Sequence, residues 1–465
     1  MRALIAVAAV ALLAGCVTSG PPSASNATGA NSPAAPSSFD TPAASGRSSV
    51  PSWPAYHGNG RRSGVSATMP RVTGQPTVRK TIRLDGQVYA SPIVAHGITI
   101  VATENDTVYA FTRRFHLLWR RHLGSPSPAS ERPCGDIDPL GITGTPLYWG
   151  RTGLVYVAAE FAGSPPRHQL IALSRRTGKV AWRRHLDLPG VDQAAMQERG
   201  ALALAGGRIW VPFGGLAGDC GAYKGRVVGY RADGRGQPLA YTVPTEREAG
   251  IWTPPGPTTD GHGHLFVAVG NGASGPGDRY DHSDSVLELS TRAHLVASFS
   301  PRSWATDNAN DLDLGSQGPA LVGPWVFAAG KSGNAYVLRR SHLGGIGGQV
   351  STTRLCTSFG GTAVAGDTVF VPCTDGVRAV HITTTGKLHV RWHADSSITG
   401  SPVVGGGRVW SLDPSGGWLY SLGLRSGRTL ARVQVGTATR FATPAIDNRD
   451  VLVPTEQGLT VVSAG

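Results

Sequence analysis

The sequence predicts an all-β fold, an eight-bladed β-propeller of four-stranded antiparallel blades with its ring closed by an N-terminal strand. Three observations carry this expectation. The composition has 63 Gly and 33 Pro but only 3 Met and 16% charged residues, which suits short strands joined by many tight turns, and no stretch sustains a long helical period. Apolar runs such as LFVAV (265–269), SVLEL (285–289) and NAYVL (334–338) read as strands at period two, bounded by Gly, Pro, Asp and Asn. The chain also repeats itself. Strand-start signals recur at Ser91-Pro92, Thr145-Pro146, Gly200-Ala201, Pro255-Gly256, Gly318-Pro319, Gly361-Thr362, Ser401-Pro402 and Thr443-Pro444, marking about eight units of roughly 40 to 65 residues.

Within a unit, the strand after the signal is followed by a second like ITIVAT, a third like TVYAF and often a fourth bearing Trp. Four strands per unit make a propeller blade. One such sheet cannot bury both faces by itself, so blades must stack radially with large aromatics wedged between neighbours. WRRHL at 119–123 and again at 182–186 places two of these wedges. Trp119, Trp182 and Trp392 are the expected aromatics, with Tyr241 and Phe299 substituting elsewhere. The last unit runs out of chain after three strands, and VRKTIRL (78–84) is expected to supply the fourth.

Ahead of the repeats, MRALIAVAAVALLAGC carries one positive charge at Arg2 and an apolar core, the pattern of an export signal. Its ending, Leu13-Ala14-Gly15-Cys16, resembles the lipobox of bacterial lipoproteins, in which the Cys is diacylated and becomes the mature N-terminus. The expected organisation is therefore a lipoprotein signal over 1–16, a Pro/Ala/Ser linker over 17–50 too polar to bury a core, and a propeller domain over 51–465. Export places Cys134, Cys220, Cys356 and Cys373 in an oxidising compartment, where their even number fits two disulfides. Of the three pairings, Cys356 to Cys373 is favoured because they flank neighbouring strand segments, leaving Cys134 to Cys220. The formal charge of +13 suits anionic lipid heads or acidic envelope polymers, and export makes nucleic acid an unsuitable partner.

Polar residues gather at strand ends between 252 and 340, where Asn271, Asp307, Asn308, Asp311, Asp313 and Lys331 fall on turns that a rigid scaffold can aim at one point. HExxH, GxSxG and CxxCH do not occur, so zinc-protease, α/β-hydrolase and fused c-type haem chemistry have no motif here. Gly330-Lys331-Ser332 mimics the end of a phosphate loop, but Trp325 stands where that loop needs Gly.

The repeats, from LGITGTP through GIWTPPGP to DLDLGSQGP, resemble those of the pyrroloquinoline quinone (PQQ) enzymes, the eight-bladed quinoprotein alcohol dehydrogenases, over nearly all of 51–465. The resemblance implies calcium and PQQ as cofactors. It places Glu160 of VAAEF and Asn271 of VGNG as calcium ligands, and Asp311 of DLD as catalytic base, with Asp313 the alternative register. Lys331 of AAGKSGNAYVLRR would reach a quinone carbonyl, and the quinone would lie on Trp252. The substrate class implied is a small alcohol or sugar. The chain departs from the family in lacking an adjacent Cys pair, in having Asn310 and Leu312 where the family has aromatics beside the Asp, and in shorter loops. Propellers of this kind also serve as non-catalytic scaffolds, so the alternative expectation is a binding module for envelope proteins or polysaccharide, using a basic rim and Trp residues such as Trp418. A monomer held at the cell membrane by its lipid anchor fits both.

Overall fold

Each repeat folds as an antiparallel meander whose strands run outward from a common axis. In the first, Ile93–Ala95, Ile98–Ala102, Thr107–Phe111 and Leu117–His122 pair in that order. The computed structural model describes residues 52–465; the expected signal, Cys16 and the linker lie outside the described residues. Blades 2 to 7 span 147–185, 203–242, 258–300, 320–354, 363–393 and 403–434. Blade 8 joins Ala445–Asp447, Asp450–Thr455 and Gly458–Ser463 to an outer strand from the start of the domain, Thr77–Arg83. That strand pairs antiparallel from Thr77 opposite Ser463 to Arg83 opposite Gly458, closing the ring as the sequence predicts. The only α-helix among the described residues is Trp304–Ala309, between blades 4 and 5.

Burial refines the expected strand periodicity. In blade 1 the third strand, TVYAF, is buried at every position, whereas the outer strand, LLWRRH, buries only Trp119. Middle strands are covered on both faces by neighbouring blades and tolerate continuous apolar sequence. Outer strands are largely exposed and bury few side chains.

The tryptophan wedges dock in a repeated way. Trp119 of blade 1 lies under the turn of blade 2, its indole nitrogen donating to the Arg175 carbonyl at 2.9 Å, and a Cβ on Gly178 would fall 2.5 Å from its ring. Trp392 repeats this against Leu424 O and Gly427, and Trp182 packs under Gly234. The WRRHL motif adds a second bond. Arg121 Nε donates to Gly178 O at 3.0 Å and Arg184 Nε to Gly234 O at 2.6 Å. These turn glycines have φ between +65° and +73°, so both left-handed backbone and ring contact exclude a side chain. Tyr241 and Phe299 sit in the cores between blades 3 and 4 and between blades 4 and 5.

An element that the repeat pattern does not reveal fills the axis. Residues 53–66 thread along the inner strand edges. Trp53 exchanges backbone bonds with Val94 of blade 1, Tyr148 N donates to Pro54 O, and Arg62 Nη2 donates to Leu202 O beside blade 3. Gly60 O accepts from Thr259 N, Ser63 O from Val364 N and Gly64 O from Val404 N, while Tyr56 Oη meets Thr443 Oγ1 at 3.0 Å. One segment thus touches blades 1 to 4 and 6 to 8. Both disulfides form with the favoured pairing, Cys134–Cys220 and Cys356–Cys373.

Candidate functional site

Two adjacent blades bring most of the expected polar residues together. Asn271 follows the second strand of blade 4, His264–Val269, and is fixed by Ala249 N donating to its carbonyl at 2.5 Å. Trp252 lies in the segment that leads into the same blade. The helix Trp304–Ala309 is followed by a tight reversal in which Leu312 N donates to Asp307 O at 2.9 Å and Asp311 takes φ +54°. This reversal turns Asp311 and Asp313 toward Lys331, which follows the blade 5 strand Trp325–Ala329 and donates its N–H to Asp313 O at 3.0 Å. Gly270 and Gly315 let the two blades meet, since a Cβ at Gly315 would lie 2.5 Å from the Gly270 Cα.

Lys331 Nζ pairs with Asp311 Oδ1 and lies 2.8 Å from Asp313 Oδ2, and it sits 5.6 Å over the Trp252 ring. Asn271 Nδ2 donates to Asp311 Oδ1 at 2.5 Å. The DLD register, ambiguous in sequence, resolves into two environments: Asp313 is fully buried and Asp311 faces solvent. Burial holds the Asp313 carboxyl above the usual carboxylate range, against the pull of the Lys331 ammonium. For Lys331, burial works toward a lower pKa, but the Asp313 and Asp311 carboxylates outweigh it and leave it above the usual lysine value. Two buried oxygens next to this lysine, Asn271 Oδ1 and Asp313 Oδ1, have no hydrogen-bond partner.

These groups border a cavity of about 250 Å³. Trp252, Asn271, Asp313 and Lys331 form one side, and Phe359, Arg440 and Phe441 from the loops ahead of blades 6 and 8 face it. Phe441 is flanked by Phe359, with ring centroids 5.9 Å apart, and by Trp252 at 6.2 Å. The Arg199 and Arg440 guanidiniums lie 5.2 Å and 4.9 Å over its ring. The remaining wall, Leu216 to Asp219 with Asp136, belongs to the two loops joined by Cys134–Cys220. Sequence reasoning missed Arg199, Phe359, Arg440 and Phe441. A signal was present, because each stands one to three residues ahead of a strand-start dipeptide, as Trp252 does.

Glu160, expected to share a metal with Asn271, does not border this cavity. It lies one residue before the end of a blade 2 strand, pairs in register with His168 across the sheet, and its Oε2 lies 3.3 Å from His168 Nε2. Trp418, expected as an exposed platform, is half-buried, with Arg432 stacked 4.5 Å over its ring.

A scan of protein-family models and a search of curated proteins each gave no match. Solved structures do match over most of the chain. The quinohemoprotein alcohol dehydrogenase of Comamonas testosteroni superposes with a TM-score of 0.68 at 16% identity, covering 89% of this chain and 80% of that one. A europium-containing methanol dehydrogenase gives 0.66 at 13% identity, covering 90% and 98%. BamB from Moraxella catarrhalis gives 0.58 at 18% identity, covering 83% and 99%. At these identities the likeness is one of fold. The chain is an eight-bladed β-propeller, and that fold is what it shares with these proteins.

Proposed function

We propose that the axial cavity binds a PQQ-type quinone together with calcium, and that the protein is an extracytoplasmic dehydrogenase of a small alcohol or sugar. The observation that carries this reading is the convergence of Trp252, Asn271, Asp311, Asp313 and Lys331 on one cavity. The donor chemistry suits such an occupant. Asn271 Oδ1 and Asp313 Oδ1 are unpartnered buried oxygens, the type a hard cation takes. Trp252 offers an aromatic face, and Arg199, Arg440 and Lys331 offer cations to an acidic planar ligand. Glu160 is outside this donor set, so the protein's oxygens for the ion are those of Asn271 and Asp313.

A bound quinone would supply the hydride acceptor. The chain's own residues do the rest. Asp311, at the solvent-facing side, takes the hydroxyl proton of the substrate, and Asn271 holds its Oδ1 in place. Lys331, 5.6 Å over the Trp252 ring, would stabilise negative charge on a ligand oxygen brought to its ammonium. Phe359 and Phe441 keep water from that face.

The test is to incubate the purified protein with PQQ and calcium and record the absorbance of retained quinone. Stoichiometric retention, weakened by Lys331→Met, is expected, and Asp311→Asn should keep the cofactor while lowering turnover by about 10² to 10⁴. No retention by the wild type sinks the proposal. It would leave the non-catalytic scaffold, which the superposition on nearly the whole of BamB supports. The two disulfides suit an oxidising compartment. Attachment to the cell membrane is proposed through Cys16, because it ends the lipobox-like Leu13-Ala14-Gly15-Cys16 after an apolar export signal. Cys16→Ser should release the protein from membranes, and unchanged attachment would dismiss the lipid anchor.

A further inference from the structure

Blades 1 and 2 bury an acidic cluster that the axial cavity does not use. Glu160 is the last residue but one of the blade 2 strand Leu154–Phe161, and His168 stands opposite it near the start of Arg167–Ser174. Glu198 approaches from the segment ahead of blade 3. The three side chains are at most 3% exposed, and one ligand atom from each lies within 4.8 Å of the others. Asp187 meets His168 Nδ1 at 2.8 Å. A carboxylate only accepts, so Nδ1 carries a proton, and Nε2, directed at the two glutamates, holds either a second proton or a metal ion. Nε2 lies 3.3 Å from Glu160 Oε2 and 3.7 Å from Glu198 Oε2, yet His168 Nε2, Glu160 Oε2 and both Glu198 carboxylate oxygens make no hydrogen bond.

We propose that Glu160, His168 and Glu198 bind a divalent transition-metal ion of the zinc type, forming a structural site that clamps blade 2 to the segment leading into blade 3. The two distances from Nε2, 3.3 Å and 3.7 Å, lie close to the roughly 3.3 to 3.5 Å between ligand atoms of a tetrahedral zinc with bonds of about 2.0 to 2.1 Å. The imidazole fits, because a ligating His ordinarily gives its other N–H to a carboxylate that fixes the tautomer, the role Asp187 has here. Charge balance fits as well. Glu104 and Asp106 of blade 1 are also buried, with Glu104 Oε1 and both Asp106 oxygens unpartnered. Glu160, Asp187 and Glu198 set three carboxyl groups around one buried imidazole, an arrangement that a cation stabilises. The site is separate from the proposed quinone site in its residues and needs neither calcium nor quinone.

The experiment strips the purified full-length chain with a chelator, titrates it with zinc chloride, and reads bound zinc per chain and the melting temperature. One tightly held equivalent that raises the melting temperature is expected. Its affinity should fall more than 100-fold in His168→Gln and Glu198→Gln and about 10- to 100-fold in Asp187→Asn, and stay unchanged in Lys331→Met and Asn271→Ala. Should the cluster variants fail to fold, anomalous scattering at the zinc edge from wild-type crystals decides, with a peak between Glu160, His168 and Glu198 expected. No tight equivalent in the wild type, equal zinc retention by the cluster variants, or an anomalous peak elsewhere overturns the assignment in favour of an imidazolium held by its carboxylates.

Discussion

Asp311 and Asp313 differ by one turn of a loop and have opposite physical roles. Asp313 is buried against the Lys331 ammonium, and removing its charge leaves that half-buried cation without its inner partner. Asp313→Asn should therefore cost about 3 to 5 kcal/mol in denaturant unfolding. The double variant Asp313→Asn/Lys331→Met should recover much of that loss, and a double variant no better than the single would show the pair is not coupled. Asp447 provides a pH test in blade 8. Burial raises it to about 6, with Arg113 pulling down and Asp450 pushing up. Its folded-state value stands above the ordinary 3.8, so its stabilising contribution is complete below about pH 4 and lost as the pH rises through 6. Asp447→Asn should gain on the wild type across that window, by at most about 3 kcal/mol. Melting curves at pH 4, 5, 6 and 7 check this, and a gain that is flat with pH contradicts it.

Among elements, the turn that receives each tryptophan offers an internal comparison. Gly234 and Gly236 both have φ +73°, but a Cβ at Gly234 would lie 2.7 Å from Trp182, whereas nothing lies within 4 Å at Gly236. Gly236→Ala should cost about 1 to 2 kcal/mol, the backbone penalty alone. Gly234→Ala should cost about 1 to 3 kcal/mol more, from overpacking the blade interface. Equal losses would mean that the Trp–Gly docking does not hold the blades. The closing strand Thr77–Arg83 contributes differently: its side chains are nearly all exposed, so it supplies backbone pairing to the edge of Gly458–Ser463. Deleting residues 77–84 should leave that edge unpaired and lower the melting temperature or cause association through the open edge. An unchanged melting temperature and a monomeric product would refute closure by this strand.

At the scale of the molecule, the two disulfides close loops of very different length, with sequence separations of 86 and 17. On the chain-entropy account, Cys134→Ser/Cys220→Ser should destabilise by up to about 4.5 kcal/mol and Cys356→Ser/Cys373→Ser by up to about 3. The first pair also joins the loops that form one wall of the axial cavity, so its loss should alter ligand retention there as well. Losses in the reverse order would show that local packing, rather than loop length, sets their worth.

The sequence by itself determined the blade. Glycine and proline punctuation, apolar runs and a recurrent Trp fix four short strands per unit, and a final unit one strand short requires the N-terminal VRKTIRL to complete it. Such signals are local, repeated and written in residue types with strong conformational preferences. The axial plug carries no such period, because it occurs once and most of its bonds are backbone bonds to inner strand edges. Residue pairing across the ring was equally hidden. Asn271, Asp311, Asp313 and Lys331 converge because two blades meet at Gly270 and Gly315, whereas Glu160 is turned by its strand register toward His168 and Glu198. Alternation along a strand tells which side chains share a face. Only the closed ring decides which loops from different blades reach the same point on the axis.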